Sequence, residues 1–448
     1  MKLSVEELLA KAEKPKELAM RYHPFYRGKI AVTPKAPVRT VDDFAIWYTP
    51  GVAEPCRAIQ RDKALVDEYT NKWNTVAVVS DGTRVLGLGD IGPEAGLPVM
   101  EGKAMLFKYL GGVDAFPICL DTKEPDEIIQ AVRWLQPSFG GINLEDIAKP
   151  KCFYILDRLR KEMAIPVWHD DQQGTATIIL AGLTNALRLV GKDPAEVTIA
   201  MVGAGAANIA TLRVLAAAGV SRRNIIMCDS KGILHLNRGD IEAKKEQNPY
   251  KWDVCLHTNR EGREGGIREA LHGTDVVIAA SRPGPGTIKP GEVSGMASDS
   301  IVFACANPIP EIWPWEAKEA GARIVATGRS DFPNQVNNSL GFPGIFRGTL
   351  DVRARTITDE MCISAAHALA RFAERRGVSE EYILPTMDQT DAYVAEAVAV
   401  GMRAQEQGVA RNPLSEDELR ERATSAIVSS QRITKLLMDH GEIAQPPK

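Results

Sequence analysis

The sequence predicts an α/β protein with an N-terminal α/β domain and a Rossmann-type doubly wound domain. Three observations predict this class. Short apolar runs alternate with segments of helical periodicity, which is typical of parallel sheets. One apolar run leads directly into Gly203-Ala204-Gly205 and then into an alanine-rich helix, as in dinucleotide-binding folds. The 448 residues exceed the ~250 to 300 at which one hydrophobic core usually divides into two.

Charge and composition exclude several classes of function. The net charge is −4, with 25% charged residues and no basic stripe, so nucleic acid and anionic membranes are not expected partners. No apolar run reaches the ~18 residues of a membrane span. The seven cysteines are dispersed and odd in number, as in proteins of a reducing compartment. We expect a soluble cytoplasmic protein without disulfides.

The N-terminal segment precedes the first expected strand. Met1–Met20 carries four glutamates among its apolar residues, which indicates an amphipathic helix rather than a signal peptide. Tyr22–Val41 is rich in proline and basic residues and is expected to run over a surface. Trp47–Val52 forms a rigid turn that presents the phenol of Tyr48.

The next segment predicts alternating strands and helices. The strands are Thr75–Asp81, Asp114–Asp121 and Phe139–Glu145, and the helices are Glu101–Leu110, Asp126–Gln136 and Lys151–Met163. The glycine-dense stretch after Asp81 permits sharp turns close to a small ligand. Lys103 falls in the first turn of its expected helix, where the helix dipole disfavours a cation. A function for Lys103 would explain this placement, and a lysine extending into solvent is the alternative.

Two pairs of acidic residues follow neighbouring strands. Glu145 and Asp146 end one strand, and Asp170 and Asp171 end the next after an intervening helix. In a parallel unit both strand ends face one crevice. Each close carboxylate pair repels by roughly 4 kcal/mol at about 4 Å and an effective dielectric near 20, so a bound cation is expected. All-oxygen ligands favour Mg²⁺ or Mn²⁺. Solvated acids that cap the following helix are the alternative.

A dinucleotide fingerprint occupies the middle of the chain. Strand Val197–Val202 leads into the glycine turn, and a second strand ends at Asp229. Gly203 permits the tight turn, Gly205 lets the backbone approach the pyrophosphate, and the helix N-terminus at Ala206 supplies amide donors. The candidate cofactor-binding residues are Gly203, Gly205, Ala206, Asp229, Ser230 and Asn307.

The preference between NAD and NADP stays open from the sequence. Asp229 can accept a hydrogen bond from a ribose hydroxyl, which favours NAD. Lys231, Arg222 and Arg223 can equally bind a 2′-phosphate. Asn208 stands where a third glycine or alanine is usual, and we expect it to widen the helix–strand spacing slightly.

Three further strands complete the doubly wound sheet, and amphipathic helices close the chain from Asp359 onward. The strands are Asp275–Ala280, Ile301–Cys305 and Arg323–Thr327. Asn307 and Asn337 follow in loops, where a neutral amide can bind a nicotinamide or a carboxylate. An asparagine before proline is also a common turn former, which is the alternative for Asn307.

Together these motifs resemble those of the malic enzymes in their short bacterial form. They occur in order from Tyr48 to Gly344, and they are Tyr48-Thr49-Pro50-Gly51-Val52, Arg84–Asp90, Pro98–Lys103, Leu144-Glu145-Asp146, Asp170–Ala176, Gly203-Ala204-Gly205, Ala306-Asn307-Pro308 and Asn337-Asn338. The resemblance implies oxidative decarboxylation of L-malate to pyruvate and CO₂, with reduction of NAD or NADP and with Mg²⁺ or Mn²⁺.

The resemblance also implies a role for each matching residue. Glu145, Asp146 and Asp171 would hold the metal, Lys103 would be the general base, Tyr48 the general acid and Asp170 a neighbour of the metal ligands that orients groups or assists proton transfer. Arg84, Asn307 and Asn337 would bind substrate carboxylates. We expect burial and a nearby cation to disfavour the ammonium form of Lys103. A core aromatic hydrogen-bonded to backbone is the alternative for Tyr48.

The family is homo-oligomeric, so a homodimer or higher oligomer is expected. Its dinucleotide domain is inserted, so that the C-terminal helices return to the first domain. The expected divisions are a substrate and metal domain over 1–168, a dinucleotide domain over 169–337 and a helical segment over 338–448. Malolactic conversion of malate to lactate, action on a related diacid such as tartrate, and a non-catalytic nucleotide or metabolite sensor are the alternative functions.

Overall fold

The structure, a computed structural model, describes residues 5–447. Residues 1–4 of the expected first helix lie outside the described residues. The N-terminal helices are α1 Val5–Tyr26, α2 Phe44–Trp47, α3 Ala53–Arg61 and α4 Val66–Tyr69. Among residues 5–447, no helix combines the length and the apolarity needed to cross a bilayer.

The first sheet contains four parallel strands. Its elements are β1 Thr75–Ser80, α5 Pro93–Gly111, β2 Asp114–Cys119, α6 Pro125–Leu135, β3 Gly141–Leu144, α7 Lys151–Glu162 and β4 Val167–His169. The strand order is β2-β1-β3-β4, and every pair is parallel. All six residues of β1 are buried, as expected for a central strand covered on both faces.

Helix α8, Thr175–Val190, leads to the second sheet. The following elements are β5 Ile199–Val202, α9 Ala206–Ala217, β6 Ile225–Asp229, β7 Gly232–Ile233, α10 Gly239–Glu242, α11 Pro249–His257, α12 Ile267–Leu271, β8 Val276–Ala279, α13 Pro290–Val293, β9 Ile301–Ala304, α14 Pro314–Glu319 and β10 Ile324–Thr327. The strand order β10-β9-β8-β5-β6-β7, with only β7 antiparallel among the strands that the structure describes, confirms the predicted doubly wound sheet.

Four C-terminal helices follow, α15 Phe342–Asp351, α16 Asp359–Arg375, α17 Thr390–Glu406 and α18 Glu416–Asp439. They pack onto the first sheet, because one buried cluster joins Val76 and Phe107 to Phe342, Val398 and Leu419. The predicted return of the C-terminal helices to the N-terminal half is therefore confirmed. The limits at residues 168 and 337 stay a prediction.

Helix α5 differs from its expected bounds. It begins at Pro93 rather than at residue 101 and runs through Pro98, so Lys103 lies in the middle of the helix and not in its first turn. Gly96 and Pro98, both weak helix formers, hide the helical pattern in the sequence. Met100, Lys103, Ala104 and Phe107 are all buried, and this spacing of three, four and seven residues defines one face of a helix. The α5 face that carries Lys103 therefore points into the protein.

Candidate active site

Lys103 reaches the carboxyl ends of β3 and β4 from its helix. Its Nζ lies 2.5 Å from Asp170 Oδ2 and 3.1 Å from Glu145 Oε1. The ring of Phe342 lies against the ammonium, with its centroid 4.3 Å from Nζ. Only 8% of the Lys103 side chain is exposed. The structure therefore brings together three predicted site residues that are distant in sequence.

The pKa of Lys103 differs from the expectation. Burial lowers this pKa, as expected, but the charges and hydrogen bonds of Asp170 and Glu145 raise it more, so the net shift is upward. Our expectation considered burial and a cation but not two carboxylates in direct contact. In the structure Lys103 is therefore an ammonium shared between two acids.

Three carboxylates form a cluster beside Lys103. Glu145, Asp146 and Asp171 each place one oxygen within 4.8 Å of the others. β3 and β4 are parallel neighbours with Leu144 opposite His169, which explains why the acids that follow both strands meet. Asp146 has a φ of 55°, in the left-handed region that few residues other than glycine adopt. Its backbone N–H donates to Asp171 Oδ2 over 2.9 Å, which ties the two strand ends together.

The electrostatics of this cluster indicate a cation site. Burial, followed by the charge of Asp171, raises the pKa of Asp146 to about 8. Burial also raises the pKa of Glu145 well above its usual range, and it raises the pKa of Asp171. Asp146 Oδ2 is buried and accepts no hydrogen bond from residues 5–447. The carboxylate oxygens lie close together and do not all accept hydrogen bonds, and ionising all three groups without a cation costs free energy. Their arrangement therefore fits Mg²⁺ or Mn²⁺.

Asp170 is held by residues to which the sequence assigned no role. A single π-helical turn, Asp170–Gly174, follows β4, and such turns are frequent at functional sites. Trp168 Nε1 donates to Asp170 Oδ1 over 3.2 Å. A Cβ on Gly174 would lie 2.1 Å from Asp170 Oδ1, so only glycine leaves room for this carboxylate.

Asn143 is another residue that the sequence reasoning missed. Its Nδ2 donates to Glu145 Oε2 over 2.8 Å from a buried position on β3. The signal was present in the sequence, because residues two apart on a strand point to the same face. Asn143 therefore orients Glu145 toward Lys103.

Arg84 lies on the glycine-rich loop beside the cluster. Its backbone N–H donates to Asp146 O over 2.9 Å, while its guanidinium donates to Leu86 O over 2.7 Å and is exposed. Buried Asp81 anchors the start of this loop by accepting from Lys151 Nζ over 2.5 Å. The exposed guanidinium, whose charge acts on Asp146 and Asp171, can use its remaining N–H groups to bind an anion beside the cluster.

Asn307 and Asn337 meet at the edge of the second sheet. Asn337 Nδ2 donates to Gly328 O over 3.3 Å, and a Cβ on Gly328 would lie 2.6 Å from Asn307 Nδ2. A Cβ on Gly87 would lie 3.1 Å from Asn307 O, so the Arg84 loop contacts this edge. The loop of Arg84 and the two asparagines therefore lie close together where the first sheet meets the second.

The dinucleotide turn has the expected geometry. Gly203 has a φ of 105°, and a Cβ there would lie 2.5 Å from Ala280 O, whereas a Cβ on Gly205 would meet nothing within 4 Å. The backbone at Gly205, just before the first residue of α9 at Ala206, is thus open to a ligand. Asn208 is buried and its Nδ2 donates to Gly203 O over 2.8 Å, so it fastens the turn.

Strand β6 ends at Asp229, and Ser230 follows it on the same side of the second sheet. Asp229 accepts from Arg238 and Lys251, two residues that the sequence analysis did not single out. Ser230 is exposed. The structure therefore places an ion-pair cluster, rather than a lone acid, where the adenosine ribose of a dinucleotide is expected.

Tyr48 is the one candidate residue that the structure does not bring to the site. Its side chain is 71% exposed, and its hydroxyl makes no hydrogen bond within residues 5–447. The segment that leads to it is fixed elsewhere, because Lys35 Nζ pairs with Asp114 Oδ2 at 3.3 Å. Asp114 begins β2, at the sheet edge opposite the carboxylate cluster. The alternative of a buried core aromatic is wrong.

Comparisons with known proteins match almost the whole chain. Residues 27–160 match the family "Malic enzyme, N-terminal domain", and residues 172–405 match "Malic enzyme, NAD binding domain". The bifunctional malic/malolactic enzyme of Bacillus subtilis is 49% identical over 91% of this chain and 97% of its own length.

A second relative and a solved structure agree with these matches. The NAD-dependent malic enzyme of Geobacillus stearothermophilus is 52% identical over 86% of this chain and 78% of its own length. The crystal structure of the Entamoeba histolytica malic enzyme superposes with a TM-score of 0.96 at 49% identity, covering 99% of this chain and 93% of that chain.

Proposed function

This chain belongs to the malic enzyme family, and we propose that the crevice around Lys103 converts L-malate, with NAD or NADP, to pyruvate, CO₂ and the reduced cofactor. The observation that carries this proposal is the placement of Lys103 within hydrogen-bonding distance of Asp170 and Glu145, beside three carboxylates suited to a dication. This reaction requires a base that accepts the hydroxyl proton and a cation that stabilises negative charge on the substrate.

Lys103 is the general base in this proposal. It would accept the proton of the malate C2 hydroxyl, and a bound nicotinamide would supply the acceptor for the C2 hydride. Asp170 lies 2.5 Å from Lys103 Nζ and can receive the ammonium proton, which returns Lys103 to the neutral state that a base requires. Arg84, Asn307 and Asn337 line the crevice and bind the two substrate carboxylates, which orients C2 toward the base.

Glu145, Asp146 and Asp171 would hold the divalent cation. When bound, it would offset the carboxylate charge around Lys103 and stabilise negative charge on the substrate C2 oxygen as a Lewis acid. Asn143 fixes the orientation of Glu145 through the hydrogen bond to Oε2.

Tyr48 is the proposed acid that protonates the enol carbon after CO₂ leaves. Because its side chain is exposed and its hydroxyl makes no hydrogen bond within residues 5–447, we propose that it enters the crevice of a second copy. Apolar side chains exposed around it support this, since Val41, Phe44, Ile46 and Trp47 are 82%, 49%, 58% and 47% exposed. Exposed apolar side chains concentrated in one segment are typical of an interface. The functional unit would therefore be a homodimer or a larger oligomer.

We place the enzyme in the cytoplasm. All seven cysteines are free thiols, and four of them are buried. Thiols persist in reducing compartments, where structural disulfides are rare.

The test is an initial-rate assay of the purified protein with L-malate, Mn²⁺ and either NAD or NADP. Equal amounts of reduced cofactor and pyruvate are expected. Lactate without net reduced cofactor would instead favour the malolactic reaction, which the name of the B. subtilis relative includes. Cofactor binding without any malate turnover would favour the sensor alternative.

A further inference from the structure

The carboxylate of Asp229 has no free acceptor site. Asp229 Oδ1 accepts from the backbone N–H of Lys231 over 2.8 Å and from Arg238 Nη1 over 3.2 Å. Asp229 Oδ2 accepts from Arg238 Nη2 over 3.0 Å and from Lys251 Nζ. An ionised carboxylate offers about four lone-pair sites. A ribose hydroxyl could therefore donate to Asp229 only by displacing one of these donors.

Cations exceed anions around Asp229. Arg238 and Lys231 also pair with Asp240, at 2.7 Å and 3.1 Å. Lys251 Nζ makes its one hydrogen bond within residues 5–447 to Asp229, so its other hydrogens are unused. The cluster of Asp229, Lys231, Arg238, Asp240 and Lys251 thus contains three cations and two carboxylates.

A fourth cation faces this cluster from the first sheet. Lys149 Nζ donates to Ala204 O, in the dinucleotide turn, over 2.7 Å, and within residues 5–447 it pairs with no carboxylate. Burial and the charge of Lys251 lower the pKa of Lys149, which shows that the two ammonium groups share one region. An added anion would relieve this excess of positive charge.

We propose that this cluster selects NADP, with the 2′-phosphate bound by Lys251 and Lys231, while Asp229 holds Arg238 and Lys251 in place. The inference rests on the proposed use of a nicotinamide cofactor and identifies which one. An unphosphorylated ribose finds no free acceptor at Asp229, whereas a 2′-phosphate finds unused ammonium hydrogens. Phosphate bound to ammonium or guanidinium gives the stronger, charge-assisted class of hydrogen bond.

Ligand fragments test the proposal without catalysis. Calorimetry on the full chain would compare adenosine 2′,5′-bisphosphate with adenosine 5′-monophosphate, and the bisphosphate is expected to bind at least about tenfold more tightly. Lys251→Ala should remove most of this advantage and leave monophosphate binding within about twofold. Lys245→Ala, an exposed lysine on the same segment, is the matched control and should change neither affinity.

A second variant tests the proposal even if Lys251→Ala does not fold. The Lys231 side chain is 68% exposed, so Lys231→Ala should fold normally and still weaken bisphosphate binding by about threefold or more. Equal affinity of the wild type for both nucleotides, or full bisphosphate affinity in both variants, would overturn the proposal. Tight bisphosphate binding without malate turnover would refute the proposed function and leave this inference standing.

Discussion

Trp168 Nε1 donates to Asp170 Oδ1 over 3.2 Å, so a buried indole sets the orientation of the acid that pairs with Lys103, the proposed base. The other oxygen of Asp170 lies 2.5 Å from Lys103 Nζ. Asp170 is thus fixed on both sides, by Trp168 and by Lys103. If Lys103 is the base, as proposed, Trp168 is a positioning residue that acts on it through Asp170.

Trp168→Phe should lower kcat by about tenfold and change the KM for malate by less than about threefold. The phenyl ring preserves most of the packing but removes the N–H donor, and small displacements of a catalytic group are costly in rate. The pH profile of kcat should also shift, because Asp170 loses a hydrogen bond that stabilises its ionised form. Trp134→Phe, at a side chain that is 74% exposed, is the control. An unchanged pH profile would show that Trp168 only packs.

Lys103→Ala should reduce kcat by at least about 10²-fold, the lower range for loss of a general base, with cofactor affinity nearly unchanged. Lys103→Arg separates charge from proton transfer, because an arginine keeps the positive charge and does not deprotonate. Both variants should be inactive in the malate assay and normal in nucleotide calorimetry. Substantial turnover by Lys103→Arg would show that the position needs only a cation.

Stability of the metal-free protein should fall as pH rises from about 5 to 8. The folded state raises the pKa of Asp146 to about 8, while an unfolded aspartate has a pKa of about 3.9. Between these values the folded state binds the proton that the unfolded state has released, so the free energy of unfolding decreases with pH.

Added Mg²⁺ should therefore raise the Tm more at pH 8 than at pH 6, because metal ligands must be deprotonated. Thermal unfolding at both pH values, with and without Mg²⁺, measures this effect. Asp171→Asn is the comparison variant and should lose most of the Mg²⁺-dependent gain. A gain that is equal at both pH values would contradict the assignment of these carboxylates as the metal site.

Sequence patterns predicted which acids lie together, because these acids follow the ends of neighbouring strands. Glu145, Asp146 and Asp171 follow two neighbouring parallel strands. Because such strands end on the same side of a sheet, the three side chains meet there. The indole of Trp168 and the space at Gly174 were not predicted, because they depend on a π-helical turn that no spacing rule indicates. The direction of the Lys103 pKa shift could not be predicted from the sequence either, because it depends on contacts with two acids that are distant in sequence.

Glu396→Gln should raise the Tm by about 2 °C or more at pH 8 and leave it nearly unchanged at pH 5. Glu396 is buried on α17, and within the described residues 5–447 neither of its carboxyl oxygens has a hydrogen-bond partner. Burial raises its pKa well above the usual range. The wild type therefore loses stability as pH rises above the unfolded pKa of about 4.3, and a neutral amide removes that loss. A Tm difference that is the same at both pH values would contradict this explanation.

Mixing two inactive variants tests whether Tyr48 acts in a second copy. Tyr48→Phe and Lys103→Ala should each be inactive as purified homo-oligomers. After dissociation and reassociation together, hybrid oligomers contain one site with both Lys103 and Tyr48, because the base comes from one protomer and the acid from the other. Activity should then recover to about a quarter of the wild-type value, since random pairing makes half of the dimers hybrid and each hybrid has one intact site.

The control for this experiment combines both changes in one chain. Tyr48→Phe/Lys103→Ala mixed with wild type gives a hybrid in which each site lacks one of the two groups. The activity should therefore fall below the value expected if the inactive chains only diluted the wild type. Lys103→Ala mixed with the double variant should stay inactive. The proposal fails if the two single variants do not complement each other and if wild type mixed with the double variant keeps half of its activity. Tyr48 would then act in its own chain. The exposed segment around it would have to fold back over the crevice before the enol carbon is protonated.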